Sequence, residues 1–138
     1  MLRKDYIQRQ FEEFGKALAL LLNLKLNKNW EVFEKEMAEA FKKFTSFELD
    51  KIEGLSEEAF NHEITGTPTL LYDQKKILAN LLFEKMNVYQ ERNETEKYLA
   101  TKTKCQIIYQ NLSEDLTQNE YDLEVHYRVE FLRNLNTE

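Results

Sequence analysis

The chain has 138 residues, 42% of them hydrophobic and 32% charged, with a net charge of −6. That is too apolar for a disordered chain, too charged for a membrane-spanning one, and long enough for one domain with a real core. Three glycines and one proline are too few for the tight turns of a β-sandwich, and an acidic chain repels a phosphate backbone, so nucleic acid is not an expected partner.

The first helix is predicted over Lys4–Leu24. Tyr6, Ile7, Phe11, Phe14, Leu18, Leu21 and Leu22 recur at gaps of three and four, one stripe of a 3.6-residue helix. Gly15 inside it costs about 1 kcal/mol against alanine, which close approach of another backbone would offset. Near its end, Ala17–Leu22 is apolar on every side. Such an end belongs either at the centre of a core or in a subunit interface, and Phe14, Leu18, Leu20, Leu21 and Leu22 are the candidate interface residues. Residues 1–28 hold six Lys/Arg against three Asp/Glu, a net of +3, which leaves −9 for the rest. This basic helix reads as a solvated face, with docking to an acidic partner or lipid surface as the alternative.

The second helix is predicted over Lys28–Phe44, with Trp30, Phe33, Met37, Phe41 and Phe44 on one side and Glu31, Glu34, Lys35, Glu39, Lys42 and Lys43 on the other. Thr45 and Glu48 form a capping-box pattern for a short helix that Gly54 would close in a left-handed cap. Ser56 caps a second short helix, Glu57–Ile64. Thr65-Gly66-Thr67-Pro68 breaks the chain and reads as a loop between two layers of one domain spanning 1–138.

A long helix follows over Leu71–Arg92, burying Leu70, Ile77, Leu78, Leu81, Leu82, Met86 and Tyr89, with Val88 and Phe83 beside them. Asn93 and Glu96 box the start of the next, Glu94–Asn111, which presents Tyr98, Leu99, Cys105, Ile108, Tyr109 and Leu112. The last helix starts at Gln118, with Thr117 as cap, Glu120 as its box partner, and Leu116 and Tyr121 as a hydrophobic staple. It buries Tyr121, Val125, Phe131, Leu132 and Leu135. Val125, Tyr127, Val129 and Phe131 alternate as a strand would, but the caps and the continuing leucine spacing favour helix. The fold class is therefore all-α: about six helices packed as antiparallel hairpins.

Chemistry is sparse. Asp122, His126 and Glu130 share one helical face at spacing four, a pattern that can bind a metal or relay a proton if His62 and Glu58 converge on it; a solvated face gives the same spacing. Cys105 is the one cysteine, which excludes an internal disulfide and a thiolate cluster and suits a reducing, cytoplasmic setting. It falls on an apolar stripe, as a small hydrophobe does. Tyr72, Phe47 and Tyr127 fit the stripes least and would form a binding patch if exposed together. Phosphate loops, HExxH, GxSxG and paired CxxC are missing, so no cofactor is expected. The longest apolar run is six residues, well below a membrane span.

Over residues 78–112 the pattern of Tyr89, Asn93, Tyr98 and Cys105 resembles a tetratricopeptide repeat, which implies a helical hairpin of the kind that binds peptides; Tyr98 departs from the small residue that repeat places there. Asp5-Tyr6-Ile7-Gln8-Arg9-Gln10-Phe11-Glu12 and Gln74-Lys75-Lys76-Ile77-Leu78-Ala79-Asn80-Leu81-Leu82 resemble a bacterial family of small all-helical proteins of unknown function. That resemblance implies an all-α fold and a bacterial source, and no catalytic residue. The reading is a helical interaction module that binds a protein or itself, as a homodimer through the first helix. The rivals are a small-ligand or metal-binding protein using His126, Glu130 and His62, and peripheral membrane attachment through the basic first helix.

Overall fold

The computed structural model describes the backbone of residues 2–66, 70–115 and 121–135, and side chains from Gln8 onward. Expectations resting on the side chains of Tyr6 and Ile7, or on Thr67, Pro68, Leu116, Thr117, Gln118 and Glu120, lie outside the described residues. Within them the fold is all-α, with seven helices and no strand. These are α1 (Leu2–Leu26), α2 (Trp30–Thr45), α3 (Leu49–Glu53), α4 (Glu57–Phe60), α5 (Tyr72–Glu91), α6 (Thr95–Ser113) and α7 (Leu123–Leu135), with a π-helical turn, Asn61–Thr65, continuing α4. Contacts group the chain into two compact units, Met1–Ile52 and Glu53–Glu138.

In the first unit α1 packs on α2. The stripe of α2 is as its spacing predicts: Phe33, Met37, Ala40, Phe41 and Phe44 are buried, while Trp30 is half-buried with its ring edge-on to Phe33. From α1 come Phe14, Leu21 and Leu24, with Phe14 edge-on to Phe44. The helix cannot start at Lys28, whose φ of 56° is left-handed; Asn29 precedes it instead. Thr45 does not cap α3. Its hydroxyl donates to the Phe41 carbonyl and accepts from the Phe47 N–H, and left-handed Ser46 closes α2. No described glycine has positive φ, so Gly54 supplies no left-handed cap.

In the second unit α6 is the hub, contacting α4, the π-helical turn, α5 and α7. The expected layer break at Thr65–Pro68 is therefore not where the contacts divide, because α4 and its extension pack against α6. Ser56 caps α4 as predicted, accepting from the Ala59 N–H at 3.1 Å. The helix then widens: the Gly66 N–H reaches back five residues to the Asn61 carbonyl, and the Thr65 hydroxyl bonds both the carbonyl and the side chain of Asn61. Only glycine suits position 66, since a Cβ there would stand 2.8 Å from the His62 carbonyl oxygen.

Helix α5 buries every apolar residue expected of it except Leu70, which is half-buried, and it buries Lys75, Glu84 and Lys85 as well. Asn93 does not cap α6. It is left-handed, φ 59°, and closes the turn after α5, leaving Glu94 at the helix start. Cys105, Ile108, Tyr109 and Leu112 are buried as predicted, but Leu99 is exposed. Helix α7 runs over Leu123–Leu135, with Tyr121 and Asp122 outside it, and buries Val125 and Leu132; Tyr121 and Phe131 are exposed and Leu135 is half-buried. The strand-like alternation of Glu124–Phe131 is helix.

Candidate interaction surface

Helix α1 carries two apolar faces. At about 100° per residue, Phe14, Leu21 and Leu24 centre on one line, the face turned to α2. Gly15, Leu22 and Leu26 lie within about 20° of a second line about 140° away, with Phe11, Leu18 and Ala19 within about 60° of it. On this second face Leu26 is 79% exposed and Leu22 36%; Ala19 and Gly15 are exposed, and Phe11 and Leu18 half-buried. The predicted single stripe is thus two. The five candidate interface residues separate accordingly: Phe14 and Leu21 belong to the core, Leu18 and Leu22 to the outer face. Leu20, 44% exposed, lies elsewhere again, in a groove against α2 with Lys16, Ala17, Glu36, Ala40 and Phe44.

Gly15 does not mark a close approach within the chain. A Cβ added there would meet nothing within 4 Å. The outer face therefore holds a shallow notch, Gly15 and Ala19, rimmed by Phe11, Leu18, Leu22 and Leu26. Leu26 was missed because the predicted helix ended at Leu24. Its signal was in the sequence, since Leu18, Leu22 and Leu26 repeat at four. The charged residues nearest the edges of the face are Glu12 on one side and Lys25 on the other.

The polar residues of the second unit form a seam inside it. The Tyr72 hydroxyl donates to Asp122 at 2.7 Å, and the Lys76 ammonium lies 3.0 Å from Asp122 and 3.6 Å from Glu124. Farther along, the Arg128 guanidinium donates to the Tyr109 oxygen, which donates to Asn80 at 2.5 Å. The same guanidinium sits 3.8 Å from the Phe83 ring centre. Burial alone would raise the Asp122 pKa. Hydrogen bonds from Tyr72, Lys76 and the Val125 N–H, with the charge of Lys76, outweigh that and hold it below 3.8. Burial, the bond to Asp122 and nearby carboxylates push the Tyr72 phenol up, so it stays a donor.

No family model, curated protein or solved structure matches this chain.

The function must be read from the residues alone. Of the trio Asp122, His126 and Glu130, each side chain has its own contact. Asp122 precedes α7 and caps it through the Val125 N–H at 3.3 Å. His126 stacks on Tyr121 with ring centres 4.2 Å apart, and Glu130 pairs with Arg133 at 2.9 Å. Each acts on a different neighbour. His62 and Glu58 are exposed on the α4 segment, and among the described residues no group of three His, Cys, Asp or Glu could hold a metal. Cys105 is fully buried, and burial raises its thiol pKa, so it has no nucleophile's character. The aromatic patch does not form as imagined: Tyr72 is engaged by Asp122 and half-buried, Phe47 is half-buried in the first unit, and only Tyr127 is exposed. No described helix is long and apolar enough to cross a membrane.

Proposed function

We propose that this protein is a helical interaction module that associates with itself through the outer face of α1. One observation carries the reading: Leu18, Ala19, Leu22 and Leu26 form a continuous apolar row with no charged residue in it, on a helix whose other apolar face is already used by α2. Single exposed leucines are ordinary on a protein surface; a row of them along one helix is a docking face. The edges of the row carry one acid and one base, Glu12 and Lys25. A membrane-surface helix needs a polar face rich in Lys and Arg, whereas the polar side of α1 mixes Arg9, Lys16 and Lys25 with Glu12 and Glu13, which favours a protein partner.

Sedimentation at micromolar concentration tests the reading. Wild type is expected to dimerise, L22E to sediment as a monomer, and L20E, which lies off the row, to dimerise like wild type. A wild-type chain that stays monomeric to about 100 µM, far above the working range of a standard-sized interface, removes the proposal. If that monomer floats with anionic vesicles at low salt, the row belongs to a lipid surface instead.

A further inference from the structure

We infer that α7 is a strap: it opens as a unit from α5 and α6 while the rest of the second unit stays folded, and its opening uncovers the face of α6 that carries Cys105 and Tyr109. Helix α7 belongs to the second unit and owes nothing to the α1 face of the first. It buries two of its thirteen residues, Val125 and Leu132, whereas α5 buries twelve of twenty. Apolar burial is the main force that holds one element to the next, and an element with little of it opens at lower cost than the whole domain.

The contacts that fasten α7 to α5 are polar. Tyr72, Lys76 and Asn80 recur at four along α5 and so form one row on that helix. Tyr72 donates to Asp122, Lys76 pairs with Asp122 and Glu124, and the Asn80 amide reaches Glu124 at 3.5 Å. The Lys76 and Asp122 side chains are 21% and 20% exposed, and Glu124 is 48% exposed. Water competes for such groups as it cannot for a core leucine, so each bond contributes little net and can be exchanged for hydration. Farther along, half-buried Arg128 lies over the Phe83 ring and donates to the Tyr109 oxygen.

The strap covers a defined face. Gln106 and Tyr109 of α6 bond Leu132 and Arg128 of α7 in reverse order, so the two helices run antiparallel. Cys105 and Tyr109 lie one turn apart on α6 and share a face, and neither has any solvent exposure. Arg128 of α7 and Glu84 of α5 both act electrostatically on the Cys105 thiol, which therefore lies where the three helices meet. With α7 closed the thiol is out of reach and held protonated by burial, so its reaction with a reagent reports opening.

Thiol labelling and hydrogen exchange test the strap on the full chain. Excess 5,5′-dithiobis(2-nitrobenzoate) reads how often Cys105 is uncovered. In wild type the rate is expected to change little up to about 1 M urea, because releasing one short helix exposes little surface. A rate that carries the full urea slope of global unfolding from the start overturns the strap. Without urea, D122N should label about tenfold faster than wild type, since the carboxylate that both Tyr72 and Lys76 hold is gone. S56A removes the cap of α4 instead; it should lower the urea midpoint yet label within about twofold of wild type. An S56A chain that labels as fast as D122N means that Cys105 is reached only when the whole unit unfolds, and the strap is overturned. Hydrogen exchange of wild type needs no variant: amides of residues 126–135 should exchange at least about tenfold faster than those of residues 77–89. Equal protection of the two segments overturns the separate opening of α7, and fast α7 exchange beside a thiol that labels only on global unfolding overturns the uncovering of Cys105.

Discussion

Helix α5 hides twelve of its twenty residues, among them Lys75, Glu84 and Lys85, whereas α1 turns Leu20, Leu22 and Leu26 to solvent. By residue type the reverse would be expected, since α1 contains the apolar run and α5 the interior charges. The difference lies in what each helix has around it. Charged groups can be buried on α5 because neighbours satisfy them: Lys75 donates to Asn111 at 3.1 Å, and the Lys85 ammonium sits 4.4 Å from the centre of the Tyr89 ring. Tyr89 in turn donates to the Glu53 carboxylate. Within its unit α1 has α2 as its main partner, and one helix can cover only one face of another.

The widest gap between the two helices should appear on truncation. Leu81 on α5 is fully buried, and L81A is expected to cost about 2–5 kcal/mol in urea or guanidinium unfolding, through lost transfer energy and the cavity left behind. The same truncation on the outer face of α1, L22A, should change the stability of the dilute protein by less than about 0.5 kcal/mol. Comparable losses at the two sites would mean that α1 is covered on both faces, and the contrast between the helices would be gone.

A smaller effect tests the polar seam. Asp122 ties α5 to α7 and caps α7, and D122N should cost about 1–2 kcal/mol at neutral pH. The sign of the pH dependence follows from the direction of the shift. The folded state holds the Asp122 carboxyl below its ordinary 3.8, so its contribution is complete above that value. It is lost as pH falls through the lower folded-state value. The stability difference between wild type and D122N should therefore be flat from neutral pH to about 5 and close in acid below 3.8. A difference that grows on acidification would show that the ionised carboxylate does not hold the seam.

These contrasts also explain which parts of the fold were legible in the sequence. The Phe33–Met37–Phe41–Phe44 stripe of α2 and the Ile77–Leu81–Leu82 core of α5 could be read directly, because period alone determines which side of a helix is apolar. Caps were less legible. Ser56 acts as its type suggests, but Thr45 and Asn93 close the preceding turn instead of opening the next helix, and the order of residues suits both roles. The seam could not be read at all: Tyr72 and Asp122 are fifty positions apart, and only the packing of α6 against both α5 and α7 brings their helices within reach of one another. A hint existed in Lys75, Glu84 and Lys85, charges embedded in apolar sequence that require partners once the helix is buried. For the candidate surface, the sequence showed that α1 has more apolar residues than one face needs. Dividing the excess into an inner and an outer row required knowing where α2 lies.

The smallest expected effect separates the two α1 rows most sharply. Glycine in a helix interior costs roughly 0.5–1 kcal/mol relative to alanine, and at Gly15 nothing in the folded chain offsets that cost, since the space around it is empty. G15A should therefore stabilise the dilute protein by about that amount, raising its melting temperature by a few degrees. At high concentration the same methyl stands on the outer face of α1 that the proposed self-association would bury. Wild type should melt higher as concentration rises, because association favours the folded state, and in G15A that rise should be reduced or absent. A variant that is destabilised when dilute would return Gly15 to the role its sequence first suggested, a close contact inside the chain. A variant that is stabilised equally at all concentrations would place the dimer contact away from the notch.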